Sequence, residues 1–250
     1  MIKEIKNLFS FLTIIPIKMD QDIFSDCAKT MYLFPFIGAC IGILSGFFGW
    51  VFFQFLPASI AGILTLGVLL IITGLHHTDG LLDFGDGIMA HGTPERKIEI
   101  MHDQLTGAGG LVLGIMTLLI TALSFSELNS NIVIQSIIVI EVAAKLSMVI
   151  GAWAGKPVHK GMNTAFLEAM HGKKGTIRLL IALIISLAIS IPLLGLTGIV
   201  CIFASIFTSL FIVYLSNKHF KGVTGDVLGA TNDISRMTSI IALLAMIPWA

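Results

Sequence analysis

Long apolar runs alternate with short polar ones along the whole chain. Six of them, roughly 36–56, 58–75, 108–125, 131–153, 179–195 and 197–216, approach the length of about 20 residues that a helix needs to cross a bilayer. A shorter apolar end, 239–250, finishes a tilted span begun near Ile234, re-enters, or lies in the interface. The pattern predicts an all-α, polytopic integral membrane helical bundle with six spans, and a seventh if the end crosses. In the first span Gly38, Gly42 and Gly46 recur at every fourth position, a spacing that lets a second helix approach closely. Pro57 and the stretches 129–131 and 195–198 mark tight reversals, and Pro192 bends the fifth span near its end. The opening MIKEIKNLFSFLTIIPIK has too short an apolar part to span and no small-residue cleavage site, so it reads as an interfacial helix.

Composition sharpens this picture. The chain is 56% hydrophobic and only 12% charged, with a mean hydropathy of +0.95, outside the range of ordinary soluble domains. A net charge of zero gives no global field for nucleic acid. Cys27, Cys40 and Cys201 form no closely spaced pair, so they read as apolar fillers rather than a zinc site or disulfide frame. The basic residues are strongly segregated. Segments 1–35, 76–107, 154–178 and 217–236 carry four, two, five and three of them, and the remaining one, Lys145, lies inside the fourth span. Basic residues concentrate on the cytoplasmic side. The expectation is one membrane-embedded domain over 1–250 in the cell membrane, with the N-terminus and loops 76–107, 154–178 and 217–236 cytoplasmic.

Chemistry concentrates between Gly74 and Gly110, which hold six of the fifteen acidic residues and four of the seven histidines. Asp79, Asp83 and Asp86 stand at i, i+4 and i+7, on one face of a helix. Carboxylates so close repel and take up protons unless a cation joins them. Mg²⁺ suits such oxygen ligands and is commonly shared with substrate phosphates. Glycines beside the acids, Gly80 and Gly87, leave room for a bulky ligand, whereas in the plainest alternative the row is a solvated helix face. His77 is a candidate metal ligand or general base. Asp103 leads into Gly107, Gly109 and Gly110 at the start of the third span, where backbone amides suit a phosphate. Arg96, Lys156 and Lys160 either clamp phosphate oxygens or extend to the membrane surface. Glu141 and Lys145, at i and i+4 within the fourth span, read as a structural ion pair. Asp226, Asn232 and Asp233 are candidates for completing a cation site or holding a base.

The pattern H-x-D-G-x-x-D-x-x-D-G, from His77 to Gly87, resembles the cobalamin synthase family, the adenosylcobinamide-GDP ribazoletransferases. FLTIIPI and FPFIGACIG near the N-terminus, E-I-M-x-D-x-x-x-G-x-G-G at Glu99 to Gly110 and T-G-D-x-L-G-A at Thr224 to Ala230 extend the resemblance over most of the chain. Gln104, Leu105 and Thr106 depart from the polar and basic residues the family usually carries there, which shifts weight for phosphate contacts onto Arg96 and the lysines of 156–178. The resemblance implies a Mg²⁺-dependent membrane transferase. In it a ribose hydroxyl of α-ribazole, or of its 5′-phosphate, attacks the cobinamide-side phosphorus of adenosylcobinamide-GDP and expels GMP. Asp79, Asp83, Asp86 and Asp103 are then the metal candidates, with His77 or one carboxylate taking the proton. Gly80, Gly87, Arg96, Asp103, Gly107, Lys156, Lys160, Asp226 and Asn232 are the substrate candidates. Self-association is left open. A Mg²⁺-dependent transferase of CDP-alcohols or prenyl diphosphates, or a transporter, remains as an alternative.

Overall fold

The structure, a computed structural model, describes residues 2–15, 23–158 and 164–246. Among them it is all helix, with no named strand. In order come α1 (Ile2–Leu12), α2 (Ile23–Lys29), a short 3-10 turn (Met31–Leu33), α3 (Phe34–Phe55), α4 (Ala58–Ile72) and α5 (His76–Met89). They are followed by α6 (Pro94–Met101), α7 (Ala108–Ser126), α8 (Val133–Ala154), α9 (Thr164–Met170), α10 (Gly172–Phe220) and α11 (Gly225–Met246). Four of these are long and apolar enough to cross a membrane, and five if the sharply bent pair α4–α5 counts as one span.

Helix α8 is the axis of the bundle. It is apolar on every side, and such a helix is stable only when surrounded; it is buried almost continuously from Ser136 to Ala152. The glycine face expected on the first span packs against it, with Gly38 on Glu141, Gly42 on the backbone at Ile138 and Gly46 at Ile134. A Cβ on Gly42 would sit 2.6 Å from the Ile138 Cα. Gly42→Ala is therefore expected to force α3 and α8 apart and cost about 1–3 kcal/mol, read as a lower temperature of unfolding in detergent; unchanged stability would mean that the two helices have slack.

The outer helices face the other way. Phe203, Phe207 and Leu111 are more than half exposed, a surface that water would penalise and lipid would not. Helix α10 reverses within its 49 residues: Gly195 takes φ 55°, ψ −129°, and Gly198 lies against the backbone of Ser190. The two arms are the fifth and sixth apolar runs, and Pro192 lies just before the break.

Two expectations change. Residues 76–107, 154–178 and 217–236 are largely helical where described, rather than loops, because α5, α6, α9 and the ends of α10 and α11 fill them. As far as Met246 the apolar end is the second half of α11, a continuous 22-residue helix that begins at Gly225, inside the expected tail loop; the last four residues lie outside the described ones. Its first half escaped the hydropathy pattern because Asp226, Asp233 and Arg236 interrupt it.

Candidate active site

Helix α5 carries the acidic row, and a bend positions it. Helix α4 ends at Ile72, Gly74 and Leu75 both take positive φ, and α5 leaves at 97° to α4. Helix α4 runs antiparallel to α7, since Gly62 at its start packs on Ser126 at the far end of α7. The bend thus delivers α5 across the N-terminal end of α7, where Gly85 lies against Gly110 and Gly109. We read α5 as lying at the end of the bundle rather than spanning it.

Both oxygens of Asp86 accept hydrogen bonds from the start of α7, from the amides of Gly107 at 2.6 Å and Gly110 at 2.8 Å. A carboxylate at a helix N-terminus satisfies amides that have no partner in the helix and complements the dipole. The Asp86 carboxylate occupies the space of the missing side chain at Gly107, and the Leu82 carbonyl together with that carboxylate occupies it at Gly110. These amides are thus occupied by the protein's own anion, which corrects the reading of Gly107 as part of a phosphate cradle. Gly80 and Gly87 are corrected likewise: α11 at Asp226 fills the space beside Gly80, while Met101 and Phe220 fill that beside Gly87. Their smallness serves helix approach, not ligand approach.

Helix α11 brings Asp226 to the row. Asp83, partly buried, is pushed up to about 7 by burial first, and then by the charges of Asp226, Asp79 and Asp86. Four carboxylates therefore share one field, with Asp83 at its centre. His102, an imidazole that spacing did not single out, reaches the same cluster, its Nε2 lying 4.0 Å from an Asp226 oxygen. The contact spans more than a hundred residues, so no local signal marked it. Asp103, exposed on the turn after α6, accepts from the Leu105 amide and is not among the charges acting on Asp83. Arg96 is exposed and pairs with Glu99 at 2.9 Å. Lys156 is exposed where the chain after α8 meets 221–223, and its carbonyl accepts from the Val223 amide. Lys160 lies outside the described residues.

His77 and Asn232 turn away from the row. His77 lies two positions before Asp79, about 200° around the helix at 3.6 residues per turn, and is only 7% exposed. Burial, followed by the cationic Lys145 and Arg236, holds its imidazole well below the ordinary histidine value. It is a neutral group facing the interior, poorly placed to take a proton from a ligand at the row. Asn232 is fully buried, accepting from Lys145 Nζ at 2.7 Å and donating to Asp233. Lys145 also pairs with Glu141 at 3.7 Å, as the i, i+4 spacing predicts. Arg236, counted among the cytoplasmic basic residues, lies instead inside the bundle, where it bridges Glu141 and Asp233. Thr78 of α5 donates to the other Asp233 oxygen at 2.9 Å. The helix with the acidic row is thus tied to a buried network on α8 and α11.

No group of three or more acidic, histidine or cysteine side chains among the described residues is assembled as a metal cage. The donor chemistry still fits Mg²⁺, which takes one or two carboxylates and completes its shell with water and substrate phosphates. Among the described residues, no backbone amide caps Asp79 or Asp83 in the way that Gly107 and Gly110 engage Asp86.

Compared with known proteins, the chain matches the family described as cobalamin-5-phosphate synthase over residues 4–244. It is 30% identical to an adenosylcobinamide-GDP ribazoletransferase of Methanococcoides burtonii, covering 97% of this chain and 92% of the relative. It is 31% identical to proteins of the same name from Pyrococcus abyssi, over 95% and 96% of the two chains, and from Thermococcus kodakarensis, over 98% and 99%. No solved structure matches.

Proposed function

Since the chain belongs to the cobalamin-5-phosphate synthase family, we propose that it joins adenosylcobinamide-GDP and α-ribazole, or its 5′-phosphate, at the acidic end of the bundle, releasing GMP. It is a transferase of cobalamin synthesis, as its relatives are named. The observation that carries the placement is the meeting of Asp226, from the tail motif, with Gly80 and Asp83 of the row. Two motifs far apart in sequence thereby form one cluster. No comparable observation favours a CDP-alcohol or prenyl transferase, or a transporter.

Topology follows the segregation of basic residues. We assign six spans to α3, α4, α7, α8 and the two arms of α10, with α11 as a seventh. The N-terminus and α5 then face the cytoplasm at the cell membrane.

One or two of Asp79, Asp83 and Asp226 would hold Mg²⁺ together with the substrate's phosphate oxygens. Bound there, the cation would neutralise charge developing on the departing phosphate. The protein's own residues do the remainder. Asp86, fixed by the Gly107 and Gly110 amides, locks α5 to α7. A carboxylate of this cluster left free by the cation is the group suited to accept the proton of the attacking hydroxyl. The new bond joins the ribose oxygen to the cobinamide-side phosphorus. The bond broken is the one to the bridging oxygen, which leaves with GMP.

The test is GMP release by membranes containing the protein, with both substrates, with and without Mg²⁺. Release that requires both substrates and Mg²⁺ is expected; none under any condition would overturn the reading. Mg²⁺ must displace the proton on Asp83, so its apparent affinity is expected to fall as pH drops below about 7, toward tenfold per unit. An apparent affinity equal at about pH 6 and about pH 8 would remove Asp83 from the metal site.

A further inference from the structure

A cavity of about 190 Å³ lies against the first turn of α11, the turn that also carries Asp226. Phe11 of α1, Phe34 of α3 and Phe166 of α9 form its aromatic wall, and Met31, Met148 and Leu228 add apolar surface. Phe11 and Phe166 stack with ring centres 5.2 Å apart and planes 21° from parallel, and Phe34 is tilted against Phe166 at 6.3 Å. Phe24 and Gly225 also line it.

We infer that this cavity is the subsite for the flat aromatic base of the nucleoside acceptor, an inference that rests on the function proposed above. Its chemistry selects among the parts of the two substrates. Among the described residues no charged side chain lines it, so these walls offer a phosphate no partner. A guanine base would bring amide and amino groups that the walls cannot satisfy, at a cost of several kcal/mol. A corrin ring is far too large. A benzimidazole has two fused rings, methyl groups and no exocyclic donor. An apolar cavity of about 150 Å³ holds benzene, and this one is somewhat larger. Methionine side chains adapt to the outline of such a ring, and aromatic walls meet it face or edge on. Position makes the same choice. Gly225 touches the cavity, and the next residue, Asp226, stands beside Asp83. A base seated against Gly225 leaves its attached sugar at the first turn of α11, next to the carboxylates that would receive the hydroxyl.

The test uses the full chain in lipid nanodiscs without metal, with dimethylbenzimidazole as the probe in equilibrium dialysis. Saturable binding is expected, displaced by α-ribazole and not by GMP. Met148→Phe should fill the cavity and weaken binding about tenfold or more, as misfit in an apolar pocket does. In the active protein the same variant should raise KM for α-ribazole by a similar factor and leave KM for adenosylcobinamide-GDP within about twofold. Phe11→Leu, which removes one ring and adds no bulk, should weaken the probe in the same direction and covers the case in which Met148→Phe does not fold. No binding to the parent protein would overturn the inference. So would undiminished binding to both variants, or displacement by oleate alone, which would mark a lipid cavity. A parent that binds the base yet releases no GMP would instead refute the function while leaving the subsite standing.

Discussion

Asp83→Asn is expected to reduce GMP release by about a hundredfold to a thousandfold, ~3–4 kcal/mol of transition-state stabilisation, while the protein accumulates as well as the parent. The two halves of the result have different causes. The loss follows from removing the central charge of the cluster, the one that burial and three neighbouring carboxylates already press toward the protonated state. The preserved stability follows from the same crowding. An amide in place of the carboxylate relieves repulsion with Asp226, Asp79 and Asp86, so the unfolding temperature should hold or rise. Asp86→Asn separates these effects, because an amide has only one oxygen for the two amides of Gly107 and Gly110. That variant should lose stability as well, by about 1–3 kcal/mol for the unsatisfied group. Purified variants compared by GMP release across a Mg²⁺ titration, and by thermal unfolding, decide the matter. Parental turnover and an unchanged Mg²⁺ requirement in Asp79→Asn and Asp83→Asn alike would make the row a solvated helix face.

What the sequence disclosed was what is local. The i, i+4, i+7 spacing placed three carboxylates on one helix, and the four-residue glycine spacing of α3 identified the face that meets α8. Gly195 and Gly198 marked the reversal of α10 because the chain there takes a backbone conformation that glycine alone enters easily. Glu141 and Lys145 were legible as a pair because a helix turn sets their separation. What stayed hidden was mostly long-range. Glycines beside acids read alike whether a ligand or a helix fills the space, and only α11 at Asp226, and Met101 with Phe220, decide for the helix at Gly80 and Gly87. The amides of Gly107 and Gly110 pointed to an anion; that the anion is Asp86 depends on the 97° bend before α5. His77 belongs to the motif by sequence, yet its angular offset from Asp79 turns it inward, where burial keeps it neutral. Arg236 misled most plainly, because a charged residue beyond the last clear apolar run is ordinarily on a surface, and its partner Glu141 is 95 residues away.

Arg236→Met should therefore be the most damaging single change to the fold, costing about 3–5 kcal/mol, the usual penalty for breaking a buried ion pair by removing one partner. Glu141, Lys145, Asp233 and Arg236 are all at most 1% exposed and carry two charges of each sign. Their balance is what makes burial tolerable. Removing the guanidinium leaves Glu141 and Asp233 with only Lys145, and the Asp233 oxygen that accepted from Arg236 keeps only Asn232. Because the other Asp233 oxygen holds Thr78, the damage should pass to α5, and residual protein should show weakened Mg²⁺ response as well as a lower unfolding temperature. If charge balance is the cause, the double variant Glu141→Leu, Arg236→Met should recover much of the loss. It leaves one acid and one base, Asp233 and Lys145, still bridged through Asn232. The coupling in the double-mutant cycle should then exceed about 1 kcal/mol, above the few tenths within which independent sites add. Unfolding in detergent, followed for the parent, both single variants and the double, reads the cycle directly. Additive losses, or a single-variant loss under about 1 kcal/mol, would mean that the network is not what fastens α5 to the bundle.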